Sequence, residues 1–156
     1  MTQEEKDLLL KDLSGRIQHG VKCKIYDFSI PYTLSGIIPS RPYQELYFEE
    51  LDYKECNGFT DIKHCKPYLF PLSSMTEEQL AELKEFADLK YEHNTLELVE
   101  WGWNNTYKTL EFWLEEIPSY CVIKVFDWLD ENNFDYRGLI PLDLAIDATH
   151  KNIYQI

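Results

Sequence analysis

The chain has 156 residues, 44% of them hydrophobic and 15% aromatic, which supplies the core of one folded domain and excludes a disordered acidic tail. Its 28 acidic and 15 basic residues give a formal net charge of −13. Residues 1–75 hold 9 basic and 11 acidic residues (net −2), and residues 76–156 hold 6 and 17 (net −11), so the second half suits a phosphate backbone poorly.

From the N-terminus, Thr2 with Glu5 makes a capping box. Leu9, Leu10, Leu13 and Ile17 then follow at helical spacing. Gly15 weakens that helix and Gly20 ends it. Val21, Cys23 and Ile25 alternate with Lys22 and Lys24, which predicts a half-buried strand. Thr33–Ile38 and Glu45–Tyr53 read as further strands, separated by Pro31, Pro39 and Pro42. Cys56–Pro71 reads as a loop, with Asn57-Gly58 as a turn signal.

The strongest helix start lies at Thr76. It caps, Glu77 and Glu78 sit in the first turn, Gln79 completes the reciprocal box, and Met75 with Leu80 would staple it. Leu80, Leu83, Ala87 and Tyr91 form its apolar face, with Glu78, Glu82 and Glu85 on the solvated side. Thr95–Trp103 predicts a strand, and Thr106–Glu116 slightly favours helix. Pro118 and Ser119 open a helix to about Asn132, with Cys121, Val122, Val125, Phe126 and Leu129 as its buried stripe. A strand at Tyr120–Phe126 is the alternative, because β-branched residues are dense there. The fold class expected is α+β: a single compact domain, residues 1–156, in which a small antiparallel β meander packs with three to four helices.

The segments Met1–Leu13 with Gly20-Val-Lys-Cys-Lys, Lys66-Pro-Tyr-Leu-Phe-Pro-Leu-Ser-Ser-Met-Thr-Glu-Glu-Gln, and Asp127-Trp-Leu with Phe134-Asp-Tyr-Arg-Gly-Leu-Ile-Pro and Leu144-Ala-Ile cover roughly half the chain. In that order they resemble a family of short proteins of gut anaerobic bacteria, often found near prophage-like or other mobile DNA. The resemblance implies a bacterial, cytoplasmic, phage-associated protein. It carries no established activity and no catalytic residues.

The candidate site is Phe134-Asp135-Tyr136-Arg137-Gly138. Arg137 is the only basic residue between Lys124 and Lys151. An arginine fork flanked by aromatics suits a carboxylate or a protein hot spot. The preferred reading is structural: Gly138 takes a special backbone angle and Arg137 is at least half buried against a carboxylate, Asp135 being nearest in sequence. Arg137→Ala would then cost about 3 kcal/mol. Trp101 and Trp103, in a cluster with Tyr107, Phe112 and Trp113, offer a second stacking surface, although core packing accounts for them better.

Asp130, Asn132 and Asp135 fail as a calcium loop, because position five is Phe134 and position six Asp135. Asp127, Asp130, Asp135, Asp143, Asp147 and His150 could make a wider carboxylate metal site. Cys56, His64 and Cys65 lack zinc spacing, and the four cysteines are expected to be reduced thiols. No phosphate loop, nucleophile elbow or His-Glu-x-x-His motif is present. The N-terminus has no basic n-region and no run approaches the roughly 20 apolar residues of a membrane span, so a cytoplasmic location is expected.

Three functions follow, in order of preference. The first is a non-catalytic interaction protein with a protein partner, a basic one suiting its charge, no cofactor and no direct nucleic-acid contact. The second is an acidic DNA mimic occupying a host nucleic-acid-binding site. The third is a hydrolase using the C-terminal carboxylates and a divalent metal.

Overall fold

A computed structural model describes residues 1–26, 28–39, 44–50, 58–87, 95–101, 107–113 and 119–154. Helix α1 (Gln3–Arg16) begins with the expected capping box: Glu5 N–H donates to Thr2 Oγ1 at 3.2 Å, and Thr2 N–H donates to Glu5 Oε2 at 2.6 Å. It passes through one 3-10 turn at Ile17–His19 and stops at Gly20, whose φ of +70° is left-handed. Its buried face holds Leu9 and Leu13, but also Asp12 and Arg16.

Strand β1 (Lys22–Ile25) shows the alternation read from sequence: Val21, Cys23 and Ile25 are fully buried, and Lys22 and Lys24 are half-buried. Strand β2 (Tyr32–Thr33) pairs antiparallel with β1. Strands β3 (Gly36–Pro39), β4 (Gln44–Tyr47) and β5 (Phe59–Asp61) form an antiparallel three-stranded meander. The expected strand Thr33–Ile38 is thus two strands in two sheets, divided at Leu34-Ser35. The expected Glu45–Tyr53 strand stops at Tyr47, because Glu49-Glu50 turns; residues 51–53 lie outside the described residues.

The stretch expected to be a loop contains the strand that organises the larger sheet. Strand β6 (Cys65–Pro71) is antiparallel to β1, with Cys23 opposite Pro67 and Ile25 opposite Cys65. It is parallel to β10 (Ile146–Asp147) at Tyr68-Leu69, and parallel to β9 (Phe134–Asp135) at Phe70-Pro71. The sheet is mixed and five-stranded, in the order β10-β6-β1-β2 with β9 also on β6. Two prolines in seven residues argue against a strand by propensity. Partners along the length of β6 outweigh the missing donors.

Helix α2 (Glu77–Phe86) starts as predicted: Gln79 N–H donates to Thr76 Oγ1 at 3.2 Å, and Thr76 N–H donates to Gln79 Oε1 at 2.9 Å. Strands β7 (Thr95–Trp101) and β8 (Tyr107–Trp113) form an antiparallel hairpin from Thr95 opposite Trp113 to Trp101 opposite Tyr107. Residues 107–113 are therefore strand, where helix was slightly favoured. Leu110 and Glu111 favour a helix, but the pairing with β7 decides the backbone. Helix α3 (Ser119–Glu131) replaces the alternative strand at Tyr120–Phe126.

The chain is an α+β domain with three α-helices among the described residues, as expected. The mixed sheet was not anticipated. Contacts cluster into two compact units: Met1–Leu69 with Arg137–Ile156, and Phe70–Tyr136. The first unit's core is formed by Leu9, Leu13, Val21, Ile25, Phe48, Ile62, Leu69 and Leu139 with their neighbours. The second unit's core centres on Leu72, Leu83, Val125, Trp128, Leu129 and Phe134.

Candidate functional site

The Phe134–Gly138 segment begins where α3 ends. Asn133 takes a left-handed φ of +56° and its N–H reaches Asp130 O at 3.2 Å, closing the helix as an asparagine cap. Phe134 is 2% exposed; its ring stacks on Trp128 at 5.7 Å with planes 10° apart. Asp135 is also buried. Tyr136 is half-buried, its ring 5.1 Å from that of Phe126. Phe134 and Asp135 thus offer little side chain to a partner.

Arg137 belongs to the first unit. Its side chain is 18% exposed, and Nε lies 3.5 Å from Asp12 Oδ1. Arg16 Nε donates to Asp12 Oδ2 at 2.8 Å and Arg16 Nη2 donates to Oδ1 at 3.0 Å, with both side chains at 0% exposure. Two guanidiniums therefore converge on one buried carboxylate. Arg137 is more than half buried and faces a carboxylate, as expected, and one carboxylate it meets is Asp12 of α1, far from it in sequence. Gly138 has the left-handed φ of +74° that lets the chain turn after Arg137.

The same unit buries a thiol pair. Cys23 and Cys65 are both buried, and burial, then the neighbouring Cys65 side chain, push the Cys23 thiol well above its usual range. Such a thiol is a poor nucleophile. Tyr154 Oη donates to Tyr68 O at 2.7 Å and accepts from Lys22 N–H at 3.2 Å, and burial holds its phenol well above its usual range.

The carboxylates of the proposed metal site are dispersed in their uses. Asp143 pairs Lys66 Nζ at 2.7 Å, Asp147 accepts from Thr149, Asp130 is buried and Asp127 is exposed. Among the described residues, no three His, Cys, Asp or Glu side chains gather where they could hold a metal ion. His64 stacks on Tyr26, and Cys56 lies outside the described residues. Trp101 is the last residue of β7, and Trp103 lies outside the described residues.

A different surface emerges on α3. Its buried stripe is Cys121, Val125, Trp128 and Leu129; Val122 is half-buried, and Phe126, expected in the core, is 39% exposed. Trp128 takes the core place because it stacks on Phe134. Tyr120 at 53% and Ile123 at 59% are more exposed still. These three stand at i, i+3 and i+6, one of the ridge directions along which helices interlock. Exposed Asp127 and Glu131 flank the row. The spacing was present in the sequence as a second apolar stripe, overlapping the first at Phe126.

No family model, curated protein or solved structure matches the chain. No helix among the described residues is long and apolar enough to cross a membrane.

Proposed function

We propose that the protein is a non-catalytic interaction module that engages a basic protein partner through the exposed ridge of α3. The row Tyr120, Ile123 and Phe126 carries this reading. Three large apolar side chains on one helix face cost solvation unless a partner covers them. The unit that bears them holds 4 basic and 15 acidic residues, net −11, so the partner that complements it is positive. A cytoplasmic accessory of a bacterial mobile element, as the family resemblance implies, fits such a role.

The test is affinity capture with wild type and Ile123→Asp, compared on equal amounts of folded protein. A basic protein retained by wild type and lost by the variant supports the reading. Capture unaffected by Ile123→Asp removes it.

One observation favours a second reading, the DNA mimic. Glu78, Glu82 and Glu85 are exposed along one side of α2 and span about 10 Å of helix axis. Competition between the protein and duplex DNA for a host nucleic-acid-binding enzyme, lost on neutralising these three, would favour it over the α3 ridge.

A further inference from the structure

The first unit carries an outward face that the interaction reading does not use. The pairing of β1 with β6 puts Lys24 directly opposite Lys66, and continuing that register puts Tyr26 opposite His64. Tyr26 N–H reaches His64 O at 3.0 Å, so the ladder does extend by this rung. A pair of lysines is therefore followed one rung along by a pair of rings.

Each rung is unusual. Like charges directly opposite one another destabilise a sheet. Lys66 is offset by Asp143, whose side chain is 91% exposed, an ion pair that solvent and salt weaken. Lys24 has no ion-pair partner among the described residues. Tyr26 has φ of +48°, a left-handed conformation that a bulky residue adopts at a steric cost. It remains 46% exposed, and stacks on His64 with centroids 4.2 Å apart and planes 25° apart. Phe28 meets the edge of Tyr26, and Tyr32 meets Phe28. Backbone strain of this kind clusters at active sites and ligand clamps.

We propose that this face binds single-stranded nucleic acid, with a base stacked on Tyr26 and the phosphates beside Lys24 and Lys66. Rings that accept any base beside cations that track the backbone are what such ligands require. Tyr26 is 46% exposed, whereas small molecules are held in clefts that enclose most of their surface, so a strand crossing the face is favoured over a free nucleotide. The acidic excess that argued against nucleic acid lies in the other unit; this one holds 11 basic and 13 acidic residues, net −2. The inference is independent of the α3 ridge.

The experiment is fluorescence anisotropy of a labelled single-stranded oligonucleotide of about 12 nucleotides against the full chain, at several salt concentrations. The expected result is saturable binding that weakens with salt, with a log–log slope of about −1.4 for two phosphate contacts. Lys24→Ala should reduce that slope by about 0.7. Tyr26→Gly should weaken binding about 10-fold through lost stacking, while its unfolding midpoint rises because glycine relieves the left-handed backbone. That opposite movement separates a ligand-binding role from a structural one. Equal affinity for polyphosphate, which lacks bases, overturns the proposal, as does equal affinity for a free mononucleotide, unchanged affinity in Tyr26→Gly, or no binding by wild type.

Discussion

The two units differ in the charge they bury. The first buries an ion cluster: Asp12 and Arg16 are fully buried and Arg137 largely so, within a core built mainly from leucine, isoleucine and valine. The second buries the carboxylates Asp130 and Asp135 beside the ring stack of Trp128 on Phe134, and carries further carboxylates and an apolar row on its surface. Buried ion pairs seldom add net stability, but breaking one is expensive. Exposed acids add little stability, yet they keep an apolar surface soluble. Substitution should therefore damage folding most in the first unit's ion cluster, whereas surface changes on α3 should spare folding and alter recognition.

The sharpest way to break this contrast is Arg16→Ala, which leaves Asp12 with Arg137 at 3.5 Å as the remaining guanidinium of the pair described here. Chemical denaturation should show a loss of about 4 kcal/mol. Arg137→Ala should cost less, about 2 kcal/mol, because Asp12 keeps both hydrogen bonds from Arg16. Equal losses would mean that the two arginines do not divide the work as their geometry implies. This revises the cost of about 3 kcal/mol expected for Arg137 from sequence.

In the second unit the largest effect belongs to Phe134→Ala, about 3 kcal/mol from the cavity opened beneath Trp128. Near-UV circular dichroism should lose the tryptophan signal that this stack produces. An intact signal and an unchanged midpoint would show that the stack does not organise the unit.

Tyr154→Phe tests the first unit by pH. At neutral pH it should cost about 2 kcal/mol, since Lys22 N–H and Tyr68 O lose their shared hydroxyl. The phenol's folded value is raised above its ordinary 10.0 by burial. Its contribution is therefore complete below pH 10 and falls as pH rises further, because the unfolded chain releases the proton first. The gap between wild type and variant should narrow above pH 10 in denaturation midpoints; a constant gap would show that the hydroxyl is not buried. The smallest effect expected is Thr76→Ala, about 1 kcal/mol from loss of the α2 cap, read as a lower thermal midpoint.

What could be read in advance was whatever neighbouring residues settle among themselves. Both capping boxes need only four residues each, and both form. The alternation of Val21, Cys23 and Ile25 with two lysines depends only on the two-residue period of a strand. The burial of Arg137 was legible because a lone arginine in an acidic, aromatic segment has few other places to go.

Three things stayed hidden in the chain. Strand β6 was misread because Pro67 and Pro71 speak against a strand, and only β1, β9 and β10 could outvote them. Strand β8 was misread because residues 107–113 have mixed propensities, and pairing with β7, which was expected as a strand, decided between them. Asp12 could not be named as a partner of Arg137, because that pair joins α1 to a turn near the other end of the chain. By itself the sequence determined composition, the division of charge, the helix starts and the faces of its clearest strand, since these rest on local chemistry. The tertiary structure alone decided which strand organises the sheet, which carboxylate meets Arg137 and which apolar residues of α3 remain outside, because those depend on contacts between residues far apart in the chain.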